Sequence, residues 1–193
     1  MDKKIRLAIF ASGSGTNAEA IMDYFKHHSQ IQVTILLSNN PEALALERAK
    51  KFNVSIKVFD KQQFRESYQV LSWLNEFEVS HIVLAGFLWL LPKSLIQFFP
   101  DRIINIHPSL LPKFGGKGMY GMKVHEAVKT SRETETGITI HLVNEHFDDG
   151  KILVQASCKI STADSAQEIA SKVYALEYAN YPKVIEKWVL AEK

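Results

Sequence analysis

The sequence is almost without cysteine: Cys158 is the only one among 193 residues. A single thiol cannot form an internal disulfide, and it is too few for a cysteine-based metal site. We therefore expect a protein of a reducing compartment, the cytoplasm. A chain of this length can bury a full hydrophobic core without such crosslinks.

The sequence also lacks a strong net charge, because 23 Lys and Arg residues against 21 Asp and Glu residues leave only +2. The basic residues form no stripe, which argues against a nucleic-acid partner. The longest apolar run, residues 82–91, is far shorter than the roughly 20 residues of a membrane-spanning helix. Arg6 interrupts the apolar N-terminal run, which predicts a buried strand and not a signal peptide. We expect no export and no membrane span.

What the sequence does contain is a regular alternation of short apolar runs with segments of helical period. Strands that are apolar on both faces and alternate with helices indicate a doubly wound, mostly parallel α/β sheet. The first half predicts strands at residues 5–10, 31–37, 55–59, 82–85 and 102–106, with a short helical stretch after Pro92. Capping patterns predict three longer helices, from Thr16 with Glu19 to about His27, from Asn40 with Pro41 to about Phe52, and from Asp60 with Gln63 to about Phe77.

The pattern changes after residue 107. Residues 108–123 are rich in Gly and Pro and predict a long loop. Residues 136–142 and 151–160 predict two strands joined at the turn 148–150, which indicates an antiparallel element at one side of the sheet. A long final helix is predicted to begin at Ser165, with Glu168 completing its cap, and to be interrupted near Pro182.

Residues 11–17, Ala-Ser-Gly-Ser-Gly-Thr-Asn, lie between the first strand and the first helix. Backbone amides and the positive end of the helix dipole favour a phosphate at such a place. Residues 27–41 lack the acidic residue of a dinucleotide fingerprint, and the loop lacks the lysine of a Walker A motif. The remaining alternatives are phosphate binding and a structural turn without a ligand.

Asn105 and His107 lie on the same face of the fifth predicted strand, at its carboxyl end. Open α/β sheets bind ligands at that edge, so an amide donor and an imidazole can face one crevice. The alternative is a capping Asn beside a His that the loop satisfies. Asp148 would raise the pKa of His107 only if the fold brings the two together. The other histidines show no metal-ligand spacing: His27, His28, His81 and His125 are predicted to be solvated or structural, and His141 at most supporting.

Five segments together resemble the phosphoribosylglycinamide formyltransferases, a folate-dependent family. They are residues 12–17, 84–87, 105–112, 136–141 and 147–150, and the resemblance extends over essentially the whole chain. It implies the formyltransferase fold in a single domain, residues 1–193. Residues 1–100 would form the nucleotide-phosphate half of this domain, and residues 101–193 the catalytic and folate-binding half.

The resemblance also implies roles for individual residues. The catalytic trio would be Asn105, His107 and Asp148. The ribonucleotide would be bound by Gly15, Thr16, Asn17 and Glu177. The folate site would be lined by Leu88, Trp89, Leu90, Leu91, Asn105, Asn144, Glu145, His146, Phe147 and Asp148. Arg65 would lie near the glutamate tail of the folate. This chain departs from many relatives at Trp89, where they carry Arg, at Tyr174, and in its longer, glycine-richer loop 114–121.

The implied reaction transfers the formyl group of the co-substrate 10-formyltetrahydrofolate to the amine of glycinamide ribonucleotide, a step of purine biosynthesis. Asn105 and protonated His107 would stabilise the oxyanion, with Asp148 holding the imidazole charged. The alternatives are a formyltetrahydrofolate hydrolase, a methionyl-tRNA formyltransferase-like enzyme, or a folate- or nucleotide-binding protein without activity. The resemblance requires no metal, and both a monomer and a homodimer are compatible with it.

Overall fold

The computed structural model describes residues 4–65 and 68–191. Within these ranges the chain forms one seven-stranded sheet with helices on both faces. The strands are β1 (Ile5–Phe10), β2 (Ile31–Ser38), β3 (Ser55–Val58), β4 (His81–Leu84), β5 (Ile103–His107), β6 (Glu135–Leu142) and β7 (Ile152–Lys159). The helices are α1 (Thr16–Phe25), α2 (Leu44–Lys51), α3 (Lys61–Arg65), α4 (Gln69–Glu76), α5 (Lys93–Phe98), α6 (Met122–Thr130) and α7 (Ala166–Ala191).

The strand order is β3-β2-β1-β4-β5-β6-β7. The first five strands are parallel, whereas β6 pairs antiparallel with both β5 and β7. This confirms the predicted doubly wound sheet with its antiparallel element in the C-terminal half. Every predicted strand end lies within one residue of the observed one.

Two hydrophobic layers cover the sheet, because successive side chains of a strand point to opposite faces. On β1, Leu7 and Ile9 pack with side chains of α1, α2 and α7, whereas Ala8 and Phe10 pack with those of α3, α4 and α5. The hydroxyl of Tyr181 on α7 is fully buried and donates to the carbonyl of Leu84 at 2.8 Å. That bond fixes α7 over the end of β4, beside the cleft described below.

Three helix-start predictions have different outcomes. Asp60 and Gln63 form the predicted reciprocal cap, with backbone-to-side-chain bonds of 2.8 and 3.0 Å, and Ser165 and Glu168 do the same before α7. The cap at Thr16 and Glu19 is wrong: Thr16 is already the first residue of α1, Gly15, which has no side chain, occupies the cap position, and the Glu19 carboxylate pairs with Arg48.

The predicted start at Asn40 and Pro41 is also wrong, since α2 begins at Leu44. The Asn40 side chain accepts instead from the N–H of Glu42, a local turn that competes with helix formation. The helix predicted from residue 60 to Phe77 is divided into α3 and α4, and residues 66–67 between them lie outside the described residues.

Two further differences concern the C-terminal half. The predicted interruption of the last helix is wrong, because α7 continues through Pro182. Its neighbours Tyr181 and Ile185 are buried against the sheet, and this packing compensates for the one backbone bond that proline removes. Helix α6 was not predicted at all, although Val124 and Val128 are buried at a spacing of four.

Candidate active site

The carboxyl ends of β1, β4 and β5 open onto one cleft of about 800 Å³. It lies where the strand order reverses around β1 and β4, the position at which open α/β sheets bind ligands. Residues 13–17, 85–88 and 105–108 line it from the three strand ends, and residues 116–121 and α7 close the other side. No cluster of three or more His, Cys, Asp or Glu side chains suited to a metal occurs in the described ranges.

The glycine loop after β1 lines this cleft, and its carbonyls accept hydrogen bonds from neighbouring groups of the protein. The carbonyl of Gly13 accepts from the N–H of Ala45, and that of Ser14 accepts from Arg48 Nε at 2.8 Å. Gly15 has φ +71°, and a Cβ there would come within 2.5 Å of Ala45. The close contact with α2 therefore requires glycine at this position, and the loop leads directly into the N-terminus of α1.

Asp148 meets Asn105 and His107 in the cleft, although it follows them by 43 and 41 residues in the sequence. His107 Nδ1 and Asp148 Oδ2 are 3.4 Å apart, and Asn105 Nδ2 lies 3.5 Å from Asp148 Oδ1. The backbone N–H of Gly116 donates to Asp148 Oδ2 at 2.9 Å. Asp148 has φ +54°, in the left-handed region, and this conformation belongs to the turn that directs its carboxylate inward.

His107 is flanked by two acceptors, the Asp148 carboxylate at Nδ1 and the carbonyl of Phe114, 2.8 Å from Nε2. Only the imidazolium can donate to both. Burial nevertheless lowers the pKa of His107 below its ordinary value, and this outweighs the opposing effects of Asp148 and Phe114. Asp148 thus acts on His107 in the predicted direction, against the larger effect of burial, and its role in keeping His107 charged during the reaction stays a prediction.

Burial alone would raise the pKa of Asp148. The neighbouring His141 and His107 and the N–H of Gly116 together overcome it and leave the pKa below its ordinary value. Asp148 is thus ionised at neutral pH. Its carboxylate lies beside the imidazole of His107, and the two groups form a pair that can take up one proton.

His141 on β6 lies directly opposite Asn105 of the neighbouring strand β5 and contacts its side chain. Its Nδ1 lies 2.8 Å from the carbonyl of Leu142, and its Nε2 lies 3.2 Å from Asn105 Nδ2. A ring that donates at Nδ1 accepts at Nε2, so His141 holds one N–H of Asn105 and fixes the plane of the amide. The other N–H of Asn105 has only the long contact with Asp148.

The sequence profile described as "Formyl transferase" matches residues 5–185. The chain belongs to the formyl transferase family. A phosphoribosylglycinamide formyltransferase of Bacillus subtilis is 34% identical, over 94% of this chain and 93% of that protein. The chloroplastic one of Vigna unguiculata is 40% identical over 95% of this chain, which spans only 61% of that protein's length. The crystal structure of the Bacillus halodurans enzyme matches with a TM-score of 0.87 and 35% identity, over 97% of each chain.

Asn17 and Glu177, both predicted to bind the ribonucleotide in this family, are hydrogen-bonded to each other across the cleft wall. Asn17 Nδ2 donates to Glu177 Oε2 at 2.8 Å. Glu177 is only 5% exposed, and burial raises its pKa to about 7, against the smaller opposing effect of Asn17. This carboxyl is therefore only partly ionised at neutral pH.

We expect Glu177→Gln to remove a pH dependence of stability. The pKa of Glu177 is raised in the folded state, so ionisation is disfavoured there, and stability is lost as pH rises from about 4.5 to about 7. The loss is about 3 kcal/mol, since a shift from 4.5 to about 7 counts about 1.4 kcal/mol per pKa unit. Urea denaturation at pH 5 and pH 8 measures it. If the free energy of unfolding changed by the same amount between pH 5 and pH 8 in the wild type and in Glu177→Gln, the raised pKa of Glu177 would be contradicted.

Several residues assigned to the folate by the family resemblance lie beside the cleft and not on its wall. Leu88 and Phe147 line it, whereas Trp89 packs against Phe59 and Phe64, and Leu91 is buried in the same core. Leu90, like Trp89 and Leu91, does not line the cleft. Residues 144–146 form a turn outside the cleft, where Glu145 pairs with Lys93. Arg65 lines a separate hollow with Tyr68 and Leu95. Their folate contacts stay predictions.

The cleft also contains residues for which the sequence analysis predicted no role in the site. His125 on α6, expected to be solvated or structural, is fully buried in the cleft wall, and Tyr174 and Tyr178 of α7 line the same wall. Lys117 is the one Lys or Arg among the described residues that line the cleft. The sequence signal for the loop was the glycine-rich composition of residues 114–121, and the signal for α6, which carries His125, was the spacing of Val124 and Val128.

Proposed function

We propose that this chain transfers the formyl group of 10-formyltetrahydrofolate to the amine of glycinamide ribonucleotide. The observation that carries the proposal is the convergence of Asn105, His107 and Asp148 beside the glycine loop, in one cleft. The relatives bearing that enzyme's name add to it. The cleft offers a phosphate position at the N-terminus of α1 and an apolar mouth for a flat folate, where Leu88 and Phe147 are exposed.

In this proposal the amine nitrogen attacks the formyl carbon, and the bond from that carbon to the folate nitrogen breaks. The formyl oxygen carries negative charge in between. The free N–H of Asn105 donates to it from an amide plane that His141 has already fixed, so little reorganisation is needed. Fixed donors of this kind are typical of acyl-transfer sites.

The proton of the attacking amine goes to the pair of His107 and Asp148. His107 begins neutral, because burial lowers its pKa, and an oxyanion forming beside it favours the imidazolium. Asp148 then stabilises the charged ring at Nδ1. The same pair returns the proton to the departing folate nitrogen, so that atoms and charges balance without a covalent intermediate.

Incubation of the purified protein with both substrates tests the proposal. We expect the formylated nucleotide and tetrahydrofolate in equal amounts by mass spectrometry. A reaction without the nucleotide reports hydrolysis, the alternative activity. Formate release at an equal rate with and without nucleotide, and no formylated nucleotide, would refute the proposed transfer.

Arg48 provides a test of the phosphate position at a distance from the chemistry. Its guanidinium bonds the carbonyl of Ser14 and pairs with Glu19, so it holds the orientation of the glycine loop. We expect Arg48→Met to raise KM for the ribonucleotide about 3–30-fold, the scale of one or two lost hydrogen bonds to a charged group, with kcat and the folate KM nearly unchanged. An unchanged KM for the ribonucleotide in Arg48→Met would contradict a role of the Arg48-held glycine loop in substrate binding.

A further inference from the structure

His125 is a buried polar side chain in the cleft wall that the chemistry above does not use. It lies in the first turns of α6 and has no accessible surface. Its ring stands edge-on to Tyr174 of α7, at 5.9 Å between centroids. Tyr174 lies one helical turn before Glu177, which bonds Asn17, so α7 brings His125 to the end of the cleft near the glycine loop.

The hydrogen-bonding groups of this region are incomplete within the protein. Four buried side-chain atoms have no partner among the described residues: both ring nitrogens of His125, Asn17 Oδ1 and Thr136 Oγ1. Three of the four belong to the cleft wall, and only Thr136 lies outside it. A buried polar atom without a partner destabilises a fold, and such atoms are usually paired. Their concentration in a substrate cleft indicates that a ligand supplies the partners.

The unpaired atoms indicate which hydrogen-bonding groups that ligand must carry. Burial and the nearby His107 lower the pKa of His125 to about 4, so the ring is neutral and offers one donor and one acceptor. Asn17 Oδ1 only accepts. Phosphate oxygens of a dianion only accept as well and cannot pair with Asn17 Oδ1. A hydroxyl or an amide, which both donates and accepts, matches both residues.

The glycine segment 116–121 lines the same cleft as His125. At Gly116, Gly118 and Gly121 an added Cβ would meet no atom within 4 Å, so these three positions face open space and leave room for a ligand beside this part of the wall.

We propose that His125, together with the carbonyl of Asn17, hydrogen-bonds neutral hydroxyl or amide groups of the ribonucleotide substrate. This inference rests on the proposed function. It makes His125 a specificity residue for the sugar and amide part of that substrate, while the phosphate is bound at the glycine loop.

The test is His125→Phe, which keeps a planar ring against Tyr174 and removes both nitrogens. We expect KM for the ribonucleotide to rise about 3–10-fold, with kcat within about threefold and the folate KM unchanged. We expect Tm to stay the same or rise by about 2–4 °C, because two unpaired buried atoms are gone. His125→Gln, which keeps a donor and an acceptor, is expected to retain more of the affinity.

Thr136→Val is the matched control, since it removes the unpaired atom outside the cleft and is expected to leave both KM values unchanged. A 2,3-dideoxyribose analogue of the substrate separates the two ligand groups. If His125 binds a hydroxyl, wild type and His125→Phe will bind the analogue equally; if it binds the amide, their difference will persist. An unchanged nucleotide KM in His125→Phe, with active wild type, overturns the inference, whereas inactive wild type overturns the proposed function itself.

Discussion

Replacement of Asn105 by alanine is expected to lower kcat about 10²–10³-fold, with a small change in either KM. This is the usual effect of removing one donor from an oxyanion site. Asn105 Nδ2 is the amide donor at the end of β5, and only its long 3.5 Å contact with Asp148 competes for the N–H that faces the reacting oxygen. The donor is used chiefly in the transition state, so its loss appears in kcat and not in substrate binding.

Steady-state kinetics of the purified variant with both substrates measures this effect. Asn75→Ala is a matched control, because it removes an exposed side-chain amide from α4, away from the cleft. An Asn105→Ala protein with near-normal turnover would exclude the amide from the mechanism. A loss confined to KM would instead assign Asn105 to ground-state binding.

The sheet was predictable from the sequence because each strand is a local pattern. The run at residues 5–10 is apolar on both faces, and only a strand covered on both sides accommodates such a run. The position of Asn105 and His107 at a carboxyl strand end followed from the same period. The cap predicted at Thr16 and Glu19 is wrong because the helix begins one residue earlier than that pattern requires, at Thr16, and Glu19 pairs with Arg48, a tertiary partner that no local pattern contains.

The contacts that form the cleft could not be predicted from the periodicity of the sequence. His141 faces Asn105 because β6 returns antiparallel to β5 in one particular register, and that register depends on packing over the whole sheet. The pKa of His107 could not be derived from the sequence for a related reason. A carboxylate can be anticipated from the sequence as a neighbour, but the degree of burial, which decides the direction of this pKa, is a property of the folded chain.

Substitution of Asp148 by asparagine is expected to lower kcat at least about 10²-fold, within the usual 10²–10⁴-fold range for a group that moves protons. The fold should remain intact. Asparagine has the same size, also tolerates the left-handed conformation that Asp148 adopts, and keeps an oxygen to accept the N–H of Gly116. What it loses is the negative charge at His107 Nδ1 and the ability to take up a proton.

The pH dependence separates this explanation from a loss of geometry. The charge of Asp148 raises the pKa of His107 against the dominant effect of burial, so its removal lowers that pKa further. The imidazolium then forms only at more acidic pH, and the residual activity of Asp148→Asn should depend on pH differently from wild type. Asp149→Asn, in the same turn but exposed and bonded to Asn144, is expected to retain wild-type kcat. A fully active Asp148→Asn enzyme with the wild-type pH profile would show that proton transfer in this cleft does not require the carboxylate.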